Sequence, residues 1–427
     1  MNTAKDPGLA EGFVFLMDCE QRCSEGIIYS LARRGFSVIG LSPERFFPAR
    51  FSSHLHRWVQ SPKLDNGFQE YFEFLCSLEK RGVIVPSGDL SVKFLSGFKD
   101  RLTSEGFLVN VPDPDTLHHL FDKWECNQIC ERHDIPVAKS ALANNLSDAE
   151  RFSSDMNWPL IVKPTSLAGG NYVKVHSQEE LKNAFNSLFN LIKKENFKLH
   201  ESGVLIQEWI DLKMSDNWSC DVYFDQDGKL IDFVTIKRIR TSLSERGLPT
   251  SRMYCGQIQN NTLLKERTFD LLKKQNWKGF AHVEYIFCKK RNDYVLTEVN
   301  PRLPGYSYLL SASGHEQACY YSLDLFGLPF QVNRCSKNER LYYFETLRYP
   351  GDLSDGIVNY WRGHLKLKDF MRSYLVLARN PRQAVVDYFN IKDFRMTIAV
   401  QVFNLIRFGS KVMSFVKRRL KYYAENK

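Results

Sequence analysis

The sequence lacks the marks of a secreted, membrane-spanning or repetitive protein. Its start, MNTAKDPGLAEG, has no basic stretch leading into an apolar one, so no secretory signal is expected. The apolar run MTIAVQVFNLIRF near the C-terminus is too short, and too interrupted by Gln401 and Asn404, to span a bilayer. No internal repeat or low-complexity tract is present. The ten cysteines sit in apolar stretches, as Cys220, Cys288 and Cys319 do, which suits reduced thiols better than disulfides. The C-x₃-C pairs Cys19/Cys23 and Cys126/Cys130 have no His or Cys set to complete them, so zinc is not expected. No Ser-His-Asp or Cys-His arrangement offers a protein nucleophile.

What is present is ordinary globular composition, 43% apolar and 13% aromatic, in 427 residues, enough for two or three domains. GFVFLMDC, a helical EGIIYSLARRG and FSVIGLS read as β-α-β, a parallel unit with flanking helices. The strand GVIVPSGD ends in a Ser-Gly-Asp turn of the kind that lines a crevice in open α/β sheets. This first region ends near the Pro-rich NVPDPD.

The most informative segment is LTEVNPR, with Glu298, Asn300 and Arg302, preceded by Glu284 in AHVEYIF. On an extended strand alternate side chains share a face, so Glu298, Asn300 and Arg302 point one way, and Glu284 can lie beside them on an antiparallel neighbour. Two carboxylates and an amide suit a Mg²⁺ ion that also takes phosphate oxygens. The guanidinium can clamp a carboxylate or a phosphoryl group.

Three further motifs precede this row in the order found in the ATP-grasp superfamily, which the chain resembles from about Asp113 to Phe330. It looks most like the carboxylate–amine ligases related to D-aspartate ligase. The likeness rests on Lys123 opening the helix of FDKWECNQICERHDIPVAKS, on Lys163 ending the strand WPLIVKP before TSLAGGNYVKV, and on the hinge VLIQEWI. The resemblance implies that Lys123 and Lys163 neutralise nucleotide phosphates and that Gly169 and Gly170 lie in a phosphate-covering loop. It implies adenine contacts from Gln207, Glu208, Trp209 and Ile210, and Mg²⁺, with Mn²⁺ as an alternative, on Glu284, Glu298 and Asn300. The ribose is assigned to Asp216 on spacing, with Asp211 and Asp221 also open.

The residues have physical readings of their own. Lys163 is a cation delivered by a rigid strand end, where a buried Lys needs solvent or an anion. Glycines let backbone N–H groups approach phosphates closely, though a Ser/Gly hairpin turn reads the same way. Glu208 among apolar neighbours needs a donor; Trp209 and Ile210 fit core equally well. FVTIKRIR carries Lys237, Arg238 and Arg240, read as basic residues aimed at one region, where related ligases reach the transferring phosphate or the carboxylate substrate; an exposed charged strand face is the alternative. Lys237, Arg240 and Arg302 are the catalytic candidates. His282, two residues before Glu284, is a substrate contact or a structural histidine.

Residues 391–427 hold nine basic residues (Lys392, Arg395, Arg407, Lys411, Lys417, Arg418, Arg419, Lys421 and Lys427) against two acidic ones, +7 of the chain's formal +9. Ile398, Val402, Ile406, Phe408, Val412, Met413, Phe415, Val416 and Leu420 recur at helical spacing, so a basic amphipathic helix is expected, lying on an anionic membrane surface or packed on the protein body. The rest of the chain is close to neutral, which disfavours nucleic acid.

The expected architecture is therefore α/β and α+β: an N-terminal α/β domain (1–112), two ATP-grasp subdomains (113–203 and 204–330) and a C-terminal helical extension (331–427). The expected activity, as the resemblance implies, is ATP- and Mg²⁺-dependent joining of a carboxylate to an amine through an acylphosphate. Alternatives are a membrane-associated ligase acting on a cell-surface polysaccharide or lipid-linked precursor, and a nucleotide-binding protein without turnover. The expected location is the cytoplasm, with peripheral attachment to the inner membrane face.

Overall fold

Strands buried on both faces read as unbroken apolar runs, and the first hundred residues contain three such runs. The computed structural model describes residues 12–166, 172–194, 203–211, 216–244, 249–332, 342–344, 351–386, 393–403, 405–406, 409 and 413. It opens with β1 (Phe13–Leu16), α1 (Ser24–Arg33), β2 (Ser37–Ser42), β3 (Arg57–Gln60), α2 (Phe68–Cys76), β4 (Val83–Val85) and α3 (Asp89–Ser104). The strands form a parallel sheet in the order β3-β2-β1-β4. Val14, Phe15, Leu16, Val38, Ile39, Val83, Ile84 and Val85 are all buried in it, each contributing roughly 2 kcal/mol of hydrophobic stabilisation. At the carboxyl end of β1 the chain turns through Asp18, whose φ of 51° is a left-handed conformation that Asp tolerates better than bulky residues.

The sequence then runs through α4 (Pro114–Phe121), α5 (Lys123–Arg132), β5 (Ser140–Ala143), α6 (Leu146–Ser154), β6 (Leu160–Pro164), β7 (Val173–Val175), α7 (Gln178–Lys194) and β8 (Val204–Glu208). Pro114 starts α4, where its missing N–H costs nothing. Asp122 ends it and caps α5, accepting from the N–H groups of Trp124 and Glu125. The antiparallel sheet β5-β8-β6-β7 packs Leu160, Val162, Val204 and Ile206 against Ala149 of α6 and Leu181, Phe185 and Leu188 of α7. Next come β9 (Asn217–Phe224), β10 (Leu230–Leu243), β11 (Pro249–Ile258), α8 (Thr262–Lys274), β12 (Gly279–Cys288) and β13 (Asp293–Asn300). Here β13, β12, β9 and β10 are antiparallel neighbours in that order.

The last elements are α9 (Ser307–Ala312), α10 (Gln317–Leu325), β14 (Tyr342–Phe344), α11 (Gly351–Trp361), α12 (Leu367–Arg379) and β15 (Ala384–Val386). A Cβ on Gly26 would lie 2.3 Å from the backbone nitrogen of Tyr308, so α1 meets α9 at a separation that only glycine permits. The chain divides into two compact units. One comprises residues 1–110, 239–258 and 302–427, the other 111–238 and 259–301. The C-terminal extension thus groups with the N-terminal domain, and the residues between Val111 and Pro301 that leave out 239–258 form the second unit. The described residues form mixed α/β architecture, as expected, with further helices after residue 330.

Of the basic C-terminal segment, residues 394–403 and 405–406 are helical. Met396 and Val400 are buried on one face, and Asp393 accepts from the Ser53 N–H (2.9 Å) and the Ser52 hydroxyl. Lys392, Arg407, Lys411, Lys417, Arg418, Arg419, Lys421 and Lys427 lie outside the described residues, as do Phe408, Val412, Phe415, Val416 and Leu420. Among the described residues no helix is long and apolar enough to cross a membrane.

Candidate active site

Strand pairing decides which side chains meet. Between β12 and β13 the register sets Glu284 opposite Glu298 and His282 opposite Asn300, with an irregularity just after Glu284. Between β12 and β9 it sets Asp221 opposite His282 and Ser219 opposite Glu284. Directly opposed residues share a face, so Asp221, His282, Glu284, Glu298 and Asn300 all project from one side of the sheet.

Glu284 is the most enclosed of the carboxylates. Arg238 on β10 donates Nη2 to its Oε1 at 2.7 Å and Nη1 to its Oε2 at 3.3 Å. His282 Nε2 lies 2.8 Å from the same Oε1, and its Nδ1 lies 2.5 Å from Asp221 Oδ1. Burial opposes charge on the imidazole, yet Asp221 and Glu284 on either side outweigh it and push the His282 pKa up to about 9. Burial likewise opposes charge on Glu284, and Arg238 with His282 overcomes it, holding the carboxyl well below its usual range. His282 is therefore a cation between two anions, a positioning group for Glu284.

Glu298 has different company. Its Oε1 lies 3.1 Å from the Lys123 ammonium. Lys123 is the first residue of α5, and its own N–H donates to the Thr165 carbonyl at 2.9 Å, tying the helix start to the end of β6. Lys163 on β6 is buried enough for its pKa to fall to about 8; the nearby Lys123 lowers it further, and Glu298 only partly compensates. Two ammonium groups at this place suit an anion with several oxygens. Gly169 and Gly170 lie outside the described residues.

Two carboxylates and an amide on one face suit a hard divalent cation. Among the described residues no group of three or more His, Cys, Asp or Glu is placed to hold a metal ion. A cation on Glu284, Glu298 and Asn300 would have to complete its shell with phosphate oxygens and water, as Mg²⁺ does in nucleotide sites.

The hinge residues lie at and beyond the end of β8. Glu208 accepts the Lys139 N–H at 2.8 Å and pairs with the Arg291 guanidinium, which also donates to the Val137 carbonyl at 2.9 Å. Gln207 donates to the Ser140 hydroxyl at 2.9 Å. The Lys174 ammonium sits 4.0 Å from the centre of the Trp209 ring. Ile210 packs with Ala138, Cys288 and Val295. Of the three residues considered for the ribose, Asp216 is paired with Lys289 at 2.6 Å, Asp221 with His282, and Asp211 is exposed.

The basic run on β10 divides by strand alternation. Lys237 and Arg238 face opposite sides, so the run does not aim at one region; Lys237 lies 5.5 Å from the Trp218 ring centre, while Arg238 reaches Glu284. Arg240 is buried in the first unit, where it donates to Asp352 (2.6 Å) and the Ser373 hydroxyl (2.9 Å) between the rings of Tyr254 and Phe370. Arg302, also in the first unit, donates Nε to Asp89 Oδ1 at 2.6 Å. The Asp221–His282 contact, the reach of Arg238 and the partners Asp89 and Arg291 were not singled out from sequence. Each depends on register or packing between distant segments.

Residues 122–313 match the family model described as the carbamoyl-phosphate synthase L chain, ATP binding domain. Urea amidolyase of Saccharomyces cerevisiae is 26% identical over 218 residues, covering 48% of this chain but only 11% of that protein. Among solved structures, biotin carboxylase of Campylobacter jejuni in complex with β,γ-ATP aligns with a TM-score of 0.57 at 14% identity, covering 77% of this chain and 73% of that one. The biotin carboxylase domain of Hydrogenobacter thermophilus 2-oxoglutarate carboxylase, bound to MgADP, ADP and bicarbonate, aligns with a TM-score of 0.57 at 13% identity over 77% and 73%. The order of motifs, the register of β12 on β13 and these likenesses agree on the ATP-grasp fold, with residues 122–313 matching an ATP-binding domain of that kind.

Proposed function

We propose that the protein is an ATP- and Mg²⁺-dependent, ADP-forming ligase that joins a carboxylate to an amine. The observation that carries this reading is the one sheet face that brings Glu284, Glu298 and Asn300 together, with the Lys123 ammonium 3.1 Å from Glu298 and Lys163 near both. On this reading both lysines neutralise the phosphates of ATP, a substrate, and Glu298, Asn300 and Glu284 hold the cation. Mg²⁺, or Mn²⁺ in its place, would offset charge on the phosphates. Arg238 and His282 fix Glu284 in its ionised state, and Gln207, Glu208, Trp209 and Ile210 border the adenine. Asp216 takes the ribose by releasing Lys289.

In the first step a carboxylate oxygen of the acid bonds to the γ-phosphorus as the bond from that phosphorus to the ADP oxygen breaks. In the second the amine nitrogen bonds to the acyl carbon, sheds a proton to solvent, and phosphate leaves. Catalysis of this kind rests on positioning and charge rather than on a protein nucleophile. The test is ADP release by purified protein with carboxylates and amines, singly and in pairs, using ¹⁸O in the acid. Label in released phosphate is the expected result; AMP carrying the label would replace the acylphosphate with an adenylate.

A further inference from the structure

Three helices of the first unit turn an apolar face outward while an inner face holds them in place. On α12, Leu367, Met371 and Leu375 follow one another at intervals of four and are 58%, 44% and 50% exposed. Its inner face is fixed by Ser373, which accepts from Arg240, and by Tyr374, which donates to Asp352 at 2.9 Å. On α11, Ile357, Tyr360 and Trp361 are exposed, whereas Asp352 and Asn359 are buried. A Cβ on Gly356 would sit 2.3 Å from the Phe370 ring, so α11 and α12 lie against each other. In the helical residues 394–403 and 405–406, Phe394, Ile398, Val402, Leu405 and Ile406 are exposed opposite buried Met396 and Val400. Periodic exposure on helices anchored through their other faces differs from the scattered apolar residues of an ordinary surface.

We propose that these outer faces bind the surface of an anionic lipid bilayer, with the helices lying in its plane. Charge selects this occupant. Residues 351–427 contain fifteen Lys and Arg against six Asp and Glu, an excess equal to the whole chain's formal +9. Lys366, Lys368, Arg372, Arg379 and Arg395 are exposed on or beside the apolar stripes. A second copy would bring the same excess of positive charge against itself, and the chain beyond residue 413 carries the same sign. An anionic headgroup layer answers the charge, and its acyl boundary accepts Leu, Met, Phe and Trp side chains. Trp361 and Tyr360 are the amphipathic aromatics that favour that boundary.

The experiment uses the full-length protein with vesicles of phosphatidylcholine alone or mixed with phosphatidylglycerol. Sedimentation is expected with the mixed vesicles and not with the neutral ones, and added salt should reduce it as the Debye length shrinks from about 8 Å. L367S/M371S/L375S should weaken binding at least about tenfold without altering the thermal unfolding midpoint, because these side chains are already exposed. K368Q/R372Q/R395Q should lose binding and salt sensitivity together. Binding to neither vesicle, equal binding to both, or wild-type binding by the apolar triple variant would overturn the proposal. So would a dimer in sedimentation velocity that the triple variant abolishes, since the face would then be covered by a second copy.

Discussion

Glu284 in the second unit and Asp18 in the first are both enclosed carboxylates, and their protonation is driven in opposite directions. Glu284 has Arg238 at 2.7 Å and an imidazolium at 2.8 Å, and it stays ionised far below its usual range. Asp18 is raised by burial, eased by a hydrogen bond with Ser91, and pushed further by Glu20, Asp89 and Asp65 to about 7. Burial raises both; the sign of the neighbouring charge decides the outcome. One carboxylate is thereby kept as an anion for a cation or a donor, while the other can exchange a proton near neutral pH.

The largest effect should come from removing the charge that holds Glu284. Arg238→Met leaves a buried carboxylate with only His282 and should destabilise the fold by about 3–5 kcal/mol, measured by chemical denaturation. Adding Glu284→Gln to that variant should restore part of the loss; a double variant as unstable as the sum of both singles would mean that the two do not act as a pair. Next, Glu298→Gln should leave stability near wild type and lower turnover at least about a hundredfold, the scale of one lost preorganised charge partner. Near-normal turnover would remove Glu298 from the cation-holding set.

Much of this contrast could be read in the sequence on the Glu284 side and little on the Asp18 side. Two-residue periodicity puts Glu298 with Asn300, and His282 with Glu284, on one strand face, and these are short-range facts. That Asp221 meets His282 depends on the register of β9 against β12, some sixty residues apart in sequence. The same limit hid Arg238: alternation separates it from Lys237, but only the assembled sheet brings it to Glu284. The N-terminal β-α-β and the Ser-Gly-Asp turn were legible from apolar runs and turn residues, whereas the closeness of Asp18, Glu20 and Asp89 arises where the parallel strands end side by side. The outer faces of α11 and α12 were likewise hidden, because helical periodicity finds an apolar stripe and cannot say which stripe the protein covers.

Titration sharpens the comparison further. Because Asp18 binds its proton more tightly folded than unfolded, its contribution to stability is present below its ordinary 3.8 and is lost as pH rises through about 7. Asp18→Asn, which tolerates the positive φ, should come near wild type at about pH 4 and exceed it by about 3–4 kcal/mol at pH 8. His282 runs from a higher starting point: its stabilisation is present below 6.5 and fades as pH rises through about 9, so His282→Gln should cost most at neutral pH and least in alkali. An Asp18→Asn curve parallel to wild type across the whole range would show that the carboxyl is ionised throughout.

The smallest expected effect is a fraction of a proton at Lys163. With its pKa lowered to about 8, this ammonium is half deprotonated near that pH before any anion arrives. Phosphate oxygens beside it favour the charged form and raise the pKa again, so ATP binding at pH 8 should take up about half a proton per site. Calorimetry in buffers of different ionisation enthalpy reads this uptake directly. It should shrink at pH 6, where Lys163 is already charged, and vanish in Lys163→Met, with weaker nucleotide binding at both pH values. Proton release on binding, or the same uptake in the variant, would assign the titration to another group and leave Lys163 outside the phosphate site.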